Sequence, residues 1–245
     1  MKAQLANVCA GSANRLSRRA WLRQEWDVPF SRPTLALRMI LVVALLALFV
    51  SEPTKAVTFT NNCRITIDDS TGALSLNTGN NTLTVSFWFK LSIPSGYDLP
   101  AHMTLLMNRR DGNEADRFAY FFRFNRETAN VEFLCRGDGG VYQRTLIDRQ
   151  YLDRWYHVAV ARQGQKFYAY VDGRPLAPAV EDSTVGNTAS IDGVSIGGSA
   201  GTSEKHLRGE IIEVAIYQAS LDGAVIRDRM FKDQRTSANL KGYFP

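Results

Sequence analysis

From Val57 onward, apolar and polar residues alternate with a period of two, and this pattern limits the fold more than any other feature of the sequence. It is clearest in the segment 84–92, where every second residue from Val85 to Leu91 is apolar. The same pattern recurs in three later segments, 118–125, 157–162 and 166–172. Because a period of two places alternate side chains on one face of a strand, this region predicts β-strands.

Two segments predict in detail which side chains share a face of a strand. The segment 118–125 predicts one face for four aromatic residues, Phe118, Tyr120, Phe122 and Phe124. The segment 209–217 predicts one face for Ile211, Glu213, Ala215 and Tyr217, and the opposite face for Ile212, Val214 and Ile216.

Turn signals separate these short segments. Five Asp-Gly pairs mark chain reversals or the ends of elements: Asp111-Gly112, Asp138-Gly139, Asp172-Gly173, Asp192-Gly193 and Asp222-Gly223. Glycine adopts the positive φ that tight turns need, and aspartate accepts hydrogen bonds from nearby backbone amides. Short alternating segments divided by such turns are typical of an all-β, antiparallel sandwich of two sheets.

One segment of this region predicts a helix, from Asp222 to about Phe231. Asp222 can accept hydrogen bonds from the first backbone amides, and Val225, Ile226 and Met230 share one helical face. A helix this short is not stable alone in water, so we expect it to be docked on a sheet.

Residues 1–56 have the composition of a targeting leader. The segment 39–50 contains twelve uncharged apolar residues, which is short for a bilayer span of about 20 residues but suits the apolar part of a signal peptide. Arg32 and Arg38 precede it, and Ala56 would be the last residue before cleavage. The sequence predicts an N-terminal apolar leader helix and an exported protein that is secreted, periplasmic or at the cell surface. The alternative is an uncleaved anchor that holds the protein in the membrane through residues 39–50.

The excess positive charge lies in this leader. The chain has a formal net charge of +5, and residues 1–56 contain eight basic and three acidic residues. The remaining residues contain 21 of each kind, so they have no electrostatic bias toward phosphate groups. We therefore expect no nucleic-acid partner, and contact with a membrane only through an uncleaved leader.

The sequence has three cysteines, Cys9, Cys63 and Cys135. Removal of the leader would leave two of them in an oxidising compartment, which allows a Cys63–Cys135 disulfide. The alternative is two buried thiols, since the separation of the two Cα atoms decides whether a bridge can form.

Two stretches contain motifs in an order that is typical of one family of domains. In 154–176 (RWYHVAVARQGQKFYAYVDGRPL), an alternating strand after Trp and His is joined by a Gly turn to a strand ending in Tyr-Val-Asp-Gly. In 195–230, a strand ending in Gly-Gly precedes a Gly-Glu-Ile strand and a short closing helix. These stretches resemble the laminin-G-like domains of the concanavalin A-like lectin/glucanase superfamily. The resemblance implies a jelly-roll domain over 57–240 that binds glycans or another cell-surface polymer, and with the leader we expect an exported binding module.

The carboxylates do not predict a glycosidase site. Related hydrolases place two carboxylates on one face of a strand, within about 5–10 Å of each other. Glu210 and Glu213 are three residues apart on a predicted strand, so they point to opposite faces and cannot act as a pair. We therefore expect a protein that is not an enzyme. Two alternatives remain: a structural or adhesive domain that binds cell-surface proteins, and a polysaccharide hydrolase with an unrecognised site.

The resemblance also implies a candidate calcium site on the strand that closes the domain, at 209–217. The family pattern there is Gly-x-Ile-Asp-Glu-Val, and this chain has Ile212 in place of the Asp but retains Glu213. Calcium prefers oxygen ligands from carboxylates, amides and backbone carbonyls. Glu213 is thus either a calcium ligand or an exposed acidic residue of the strand.

A polar loop is the predicted ligand-binding site. The segment 107–117 (MNRRDGNEADR) is rich in groups that hydrogen-bond sugar hydroxyls, and loops on such sandwiches often carry function. The candidates are Asn108, Arg109, Asp111, Asn113 and Asp116, with Tyr142 as a stacking ring. The alternative is a solvated, charge-balanced loop.

Overall fold

The computed structural model describes residues 56–60, 63–69, 74, 81–93, 100–109, 118–148, 153–182, 185–186, 193–199 and 206–245. The predicted leader helix lies outside these residues, as does most of the predicted polar loop. None of the helices among the described residues has the length and hydrophobicity needed to cross a bilayer.

Thirteen strands and one short helix make up the described chain. In chain order they are β1 Val57–Phe59, β2 Ile65–Ile67, β3 Thr82–Leu91, β4 His102–Arg109, β5 Phe118–Asn125, β6 Asn130–Arg136, β7 Val141–Ile147, β8 Trp155–Gln163, β9 Lys166–Val171, β10 Arg174–Glu181, β11 Gly193–Ile196, β12 Gly209–Tyr217, α1 Gly223–Arg229 and β13 Leu240–Phe244.

The strands form two antiparallel sheets. The seven-stranded sheet has the order β1-β12-β3-β8-β9-β10, with β13 paired to β12, and the six-stranded sheet has the order β2-β11-β4-β5-β6-β7. Consecutive strands pair from β4 to β7, from β8 to β10 and between β12 and β13. The other pairs join strands that are distant in the sequence, as β12 and β3 are, so the sandwich closes through long-range pairing. The prediction of an all-β, two-sheet jelly roll with one short C-terminal helix is confirmed.

The core lies between the two sheets and follows the period of two. Val85, Phe87, Phe89 and Leu91 point from β3 into this core and are buried, as predicted. Phe87 meets Phe122 of the facing sheet edge to face, with 5.0 Å between the ring centroids. Burying one such side chain contributes about 1.5–3 kcal/mol to stability, so these alternating residues account for much of the driving force.

The predicted face of β5 is wrong for one residue. Tyr120, Phe122 and Phe124 belong to the core between the sheets, whereas Phe118 packs in a second cluster, with its ring 5.4 Å from that of Phe121. The cause is a register shift at the start of the strand, where Asn108 pairs with Tyr120 but Arg109 pairs with Phe118. The extra residue turns the Phe118 side chain to the other face.

The predicted faces of β12 are also wrong in part. Ile211 shares the inner face with Val214 and Ile216 rather than with Glu213. Ile212 pairs with Trp88 and Ala215 with Ser86, so β12 holds one residue more than β3 between these pairs. Glu213 sits in this β-bulge with a positive φ of 56°. The bulge reverses the alternation and brings Glu213 toward the outer face of the sheet.

The helix begins as predicted. The Asp222 side chain accepts hydrogen bonds from the amides of Ala224 and Val225, at 2.9 and 2.8 Å. Ile226 then packs against Ala159 and Tyr170 on the outer face of the seven-stranded sheet. The helix therefore depends on the sheet for stability, as its length requires.

The predicted Cys63–Cys135 disulfide is wrong. Cys135 is a free, buried cysteine of β6. Its Sγ lies 3.9 Å from an Nη atom of the buried Arg162. Burial raises the pKa of this thiol to about 12, although the nearby Arg162 guanidinium opposes the shift. The thiol is consequently protonated and unreactive at neutral pH.

Candidate functional site

An open cleft lies on the outer face of the seven-stranded sheet, beside α1. It consists of two adjoining pockets of about 510 and 300 Å³ that share four lining residues, Trp88, Trp155, Met230 and Phe231. Asp172 and Arg227 line the larger pocket, and Ile212 and Glu213 line the smaller one. We call these eight residues the aromatic cleft. An apolar concavity with a few polar groups at its edges is the usual form of a small-molecule site.

Strand register brings the two tryptophans of the cleft together. Trp88 occupies an outward position of β3, where it pairs with His157 of β8 on one side and Ile212 of β12 on the other. Trp155 pairs with Lys90 and is thus the diagonal neighbour of Trp88 on the same face. Side chains at such diagonal positions remain within reach of each other when they are large.

Trp88 is held rigidly in the cleft. Its Nε1–H donates to the carbonyl oxygen of Met230 at 2.8 Å, and its ring meets His157 edge to face at 5.2 Å. The ring of Phe231 lies 5.4 Å away on the open side. Because the indole N–H is already bonded, Trp88 offers a ligand an apolar surface rather than a hydrogen bond.

His157 lies buried next to Trp88. Burial lowers the pKa of this imidazole to about 4, although the Asp172 carboxylate acts in the opposite direction. The ring is consequently neutral at pH 7. A neutral, buried histidine supports the tryptophan by packing and adds no charge to the cleft.

Phe231 is the most exposed aromatic side chain of the cleft, with 80% of its surface accessible. It follows Met230, the residue that ends α1. The other large hydrophobic side chain exposed among the described residues is Val141 of β7, at 42%, on the six-stranded sheet. A contiguous exposed apolar patch, such as Phe231 with the neighbouring aromatic rings, indicates an interaction site, whereas an isolated exposed apolar residue does not.

Asp172 lies at one end of the cleft, in the larger pocket, and its hydrogen bonds stabilise the local backbone. Its Oδ1 accepts from the backbone amide of His157 at 2.9 Å, and its Oδ2 accepts from Arg154 at 3.1 Å. Gly173 follows with a φ of +71°, and a Cβ there would lie 2.5 Å from the Cγ of Arg227. The Tyr-Val-Asp-Gly motif therefore combines a tight turn with close packing of α1.

Glu213 marks the other end. Its side chain accepts a hydrogen bond from the hydroxyl of Tyr243 on β13. Burial and this carboxylate raise the pKa of Tyr243, so the phenol stays protonated and remains a donor. Glu210, three residues earlier on β12, instead pairs with Lys90 at 3.3 Å. Because the bulge brings Glu213 to the same outer face as Glu210, the prediction that these two carboxylates point to opposite faces is wrong. They differ in their partners, which are Lys90 for Glu210 and Tyr243 for Glu213.

Glu213 belongs to no cluster of acidic, histidine or cysteine side chains among the described residues. No group of three or more His, Cys, Asp or Glu side chains able to hold a metal ion occurs within the described part of the chain. A calcium site can also use backbone carbonyls, so the calcium ligand role of Glu213 stays a prediction.

The predicted loop site is only partly described. Asn108 is 0% exposed and donates to the carbonyl of Gly193 at 3.3 Å, and Tyr142 is 5% exposed and stacks on Phe167 with 4.2 Å between the rings. Neither side chain is accessible to a ligand at the surface, so the structure does not support these two predictions. The side chain of Arg109 and the residues Asp111, Asn113 and Asp116 lie outside the described residues.

Sequence reasoning missed the aromatic cleft. The available signal was a tryptophan at a polar, outward position of β3, within the alternating segment that contains Phe87 and Phe89. A second signal was Phe231 just after the amphipathic part of the predicted helix. Neither signal locates a site alone, because strand register and helix docking bring these residues together.

A sequence-family model described as the concanavalin A-like lectin/glucanases superfamily matches residues 60–227, which is more than half of the chain. This match agrees with the resemblance seen in the two sequence stretches and with the two-sheet architecture. A search of curated proteins found no match.

Solved structures share the fold at low sequence identity. A proposed carbohydrate-binding protein from Bacteroides ovatus is 18% identical, with a TM-score of 0.56 over 78% of this chain and 51% of that one. Domain 4 of AbnA, an extracellular GH43 arabinanase from Geobacillus stearothermophilus, was solved with arabinotriose and is 17% identical, with a TM-score of 0.54 over 74% of this chain and 78% of that one.

A sialidase from Trypanosoma rangeli is 16% identical, with a TM-score of 0.54 over 76% of this chain. The chain covers 28% of that sialidase and about half of the Bacteroides protein. At these identities the similarity establishes the fold alone.

Proposed function

Because the chain belongs to the concanavalin A-like lectin/glucanase superfamily, we propose that it is an exported carbohydrate-binding module without catalytic activity. The fold does not choose this function, since such sandwiches host both binding domains and enzymes. The observation that carries the proposal is the aromatic cleft, where two tryptophans and the exposed Phe231 adjoin carboxylates at both ends. Sugar rings pack their C–H faces on aromatic rings and donate hydroxyl hydrogens to carboxylates.

The structural relatives support the same class of ligand. One is named as a proposed carbohydrate-binding protein, and another is an arabinanase domain solved with arabinotriose. The proposal of export rests on the leader sequence at 1–56.

The partners of the carboxylates support binding rather than hydrolysis. Asp172 is bonded to the His157 amide and Arg154, Glu210 to Lys90, and Glu213 to Tyr243. A glycosidase needs one carboxyl group as an acid and a second as a nucleophile or base, at a defined separation. Carboxylates committed to separate structural partners are poorly placed for either role.

One observation favours a second candidate, an adhesive domain that binds a cell-surface protein. Aromatic residues are enriched at protein interfaces as well as at sugar sites, and Phe231 could insert into a partner. The partly paired polar groups at both ends favour a small, hydroxyl-rich ligand over a flat protein surface.

Glycan binding by the full chain tests the proposal. We expect the wild type to bind on an array of plant, bacterial and animal glycans, and Phe231→Ala to lose about tenfold or more in affinity for the best ligand. Val141→Ala is the matched control, since it removes an exposed apolar side chain from the other sheet, and it should bind as the wild type does. Incubation with the bound polysaccharide should release no reducing ends.

Three results would contradict the proposal. Absence of all glycan binding, together with capture of a defined surface protein, would favour the adhesive function. Equal affinity of Phe231→Ala and wild type would place the site elsewhere. Release of reducing ends would show that the protein is a hydrolase.

A further inference from the structure

The aromatic cleft runs across the strands of the seven-stranded sheet rather than along them. Ile212 and Glu213 come from β12, Trp88 from β3, Trp155 from β8, and Asp172 from the turn after β9. These strands are consecutive neighbours in the sheet, in the order β12-β3-β8-β9. Since neighbouring strands lie about 4.8 Å apart, the two ends of the cleft are separated by about 14 Å.

The two ends differ in volume but are chemically similar. Each end combines the shared aromatic residues with one carboxylate, Asp172 in the larger pocket and Glu213 in the smaller pocket. One sugar ring cannot reach carboxylates at both ends of a cleft of this length. The arrangement provides two positions in a row, each with an apolar surface and an acceptor for hydroxyl groups.

The charges of the cleft favour an uncharged ligand. Asp172 and Glu213 face it from its two ends, and Arg227 is the one basic side chain among its lining residues. Beside the cleft, Arg154 is paired with Asp172 and Lys90 with Glu210. An anionic sugar would thus meet two carboxylates without a surplus of positive charge, and like-charge contacts disfavour binding.

The fixed position of Trp88 favours ligands whose sugar rings match the shape of the aromatic surface. The indole N–H of Trp88 is bonded to Met230, so hydroxyl recognition falls to the ends of the cleft. A sugar chain can then lie with its rings over the tryptophans and its hydroxyl groups directed to the ends. A preorganised aromatic surface also reduces the entropic cost of binding.

We propose, on the basis of the glycan-binding function above, that the aromatic cleft binds two consecutive units of an uncharged saccharide chain that runs across the sheet from Asp172 to Glu213. The ligand class is a neutral oligosaccharide, bound through an internal pair of sugar units. Acidic glycans, such as uronic acid polymers, are excluded by the carboxylates at the two ends.

Calorimetric titration of the full chain with length series tests this inference. The neutral probes are xylo-, cello-, manno- and arabino-oligosaccharides of one to four units, and the acidic probe is oligogalacturonate of the same lengths. For the neutral series that binds best, affinity should rise about tenfold or more from one unit to two, and by less than about threefold for each further unit. Oligogalacturonate should not bind measurably.

Glu213→Gln isolates the smaller pocket. This variant keeps an acceptor for Tyr243 but removes the charge, so we expect the fold to be retained, which circular dichroism checks. We expect it to weaken binding of the two-unit ligand by about fivefold and to reduce the gain from one unit to two. Glu127→Gln is the matched control, because Glu127 lies exposed in the turn between β5 and β6 on the other sheet. It should behave as the wild type.

The outcomes separate this inference from the proposed function. Equal affinity for one and two units, tighter binding of oligogalacturonate, or equal behaviour of Glu213→Gln and Glu127→Gln would overturn the inference while glycan binding stands. Failure of the wild type to bind any of the probes or any glycan of the array would overturn both.

Discussion

The two faces of the seven-stranded sheet use aromatic residues in opposite ways. On the inner face, Phe87 and Phe89 are completely buried against the six-stranded sheet. On the outer face of the same strands, Trp88 and Trp155 are only partly covered, and Phe231 beside them is mostly exposed. Adjacent residues of β3 thus lie in two different environments. Phe87 and Phe89 are covered by the second sheet, and Trp88 faces the open cleft beside α1.

The difference separates the aromatic residues that stabilise the fold from those that we propose bind the ligand. The inner aromatic rings fill a space that no ligand can enter, so their contribution is to folding. The outer rings retain accessible apolar surface, which has a cost in water unless a ligand covers it. Substitutions on the inner face should therefore change stability, and substitutions at the open end of the outer face should change binding.

The largest effect is expected for Phe87→Ala on the inner face. This change leaves a cavity in the core and should lower the free energy of unfolding by about 3–5 kcal/mol. Denaturant unfolding followed by circular dichroism measures it. A loss of unfolding free energy below about 1 kcal/mol would mean that the inner face is loosely packed. It would contradict the view that the inner rings stabilise the fold while the outer rings bind a ligand.

The second largest effect is expected for His157, which is buried on the outer face of the sheet beside Trp88. Its folded pKa of about 4 lies below its unfolded value, so the unfolded state binds more protons between pH 6.5 and 4, and stability falls as the pH is lowered. From pH 7.5 to 5 this group should remove about 2 kcal/mol from the free energy of unfolding. The difference between wild type and His157→Gln, measured at both pH values, isolates the effect of this residue. A difference that does not change with pH would contradict the buried, neutral imidazole.

The helix that forms one wall of the cleft should depend on its cap. Asp222→Ala removes the acceptor for two backbone amides and should cost about 1 kcal/mol in unfolding free energy. Asp228→Ala serves as the control, since Asp228 is an exposed residue of the same helix whose ion pair with Lys232 contributes little. Equal losses for the two variants would show that general helix charge, rather than the cap, is responsible.

The smallest effect on stability is expected for Phe231→Ala at the open end of the cleft. Because this side chain is mostly exposed, its removal should change the free energy of unfolding by less than about 0.5 kcal/mol. Thermal melting of the variant next to Val141→Ala gives the comparison. A large loss for Phe231→Ala alone would indicate that this ring has a structural role instead of an open binding surface.

The inner face could be predicted from the sequence, and the outer face could not. A period of two identifies buried positions such as Phe87, because one buried face leaves a local signal along the strand. Trp88 and Trp155 become neighbours only through the pairing of β3 with β8, and Phe231 joins them only when α1 docks. These are long-range arrangements that no local pattern contains.

The incorrect predictions have the same cause. The inserted residues at the start of β5 and at Glu213 of β12 change the side-chain alternation, and the sequence around them carries no turn or glycine signal. The predicted disulfide required Cys63, between β1 and β2, and Cys135 of β6 to lie at bridging distance, which only the folded chain determines. The helix cap at Asp222 was predictable because its partners are two and three residues away.

Fluorine NMR of the chain labelled with 5-fluorotryptophan tests the central claim most directly. The sequence contains four tryptophans, Trp21 and Trp26 in the predicted leader and Trp88 and Trp155 in the cleft. Single Trp→Phe variants assign their signals. On titration with the tightest-binding neutral oligosaccharide, the signals of Trp88 and Trp155 should shift while any leader signals remain unchanged. Saturable binding that leaves both cleft signals unmoved would contradict the account.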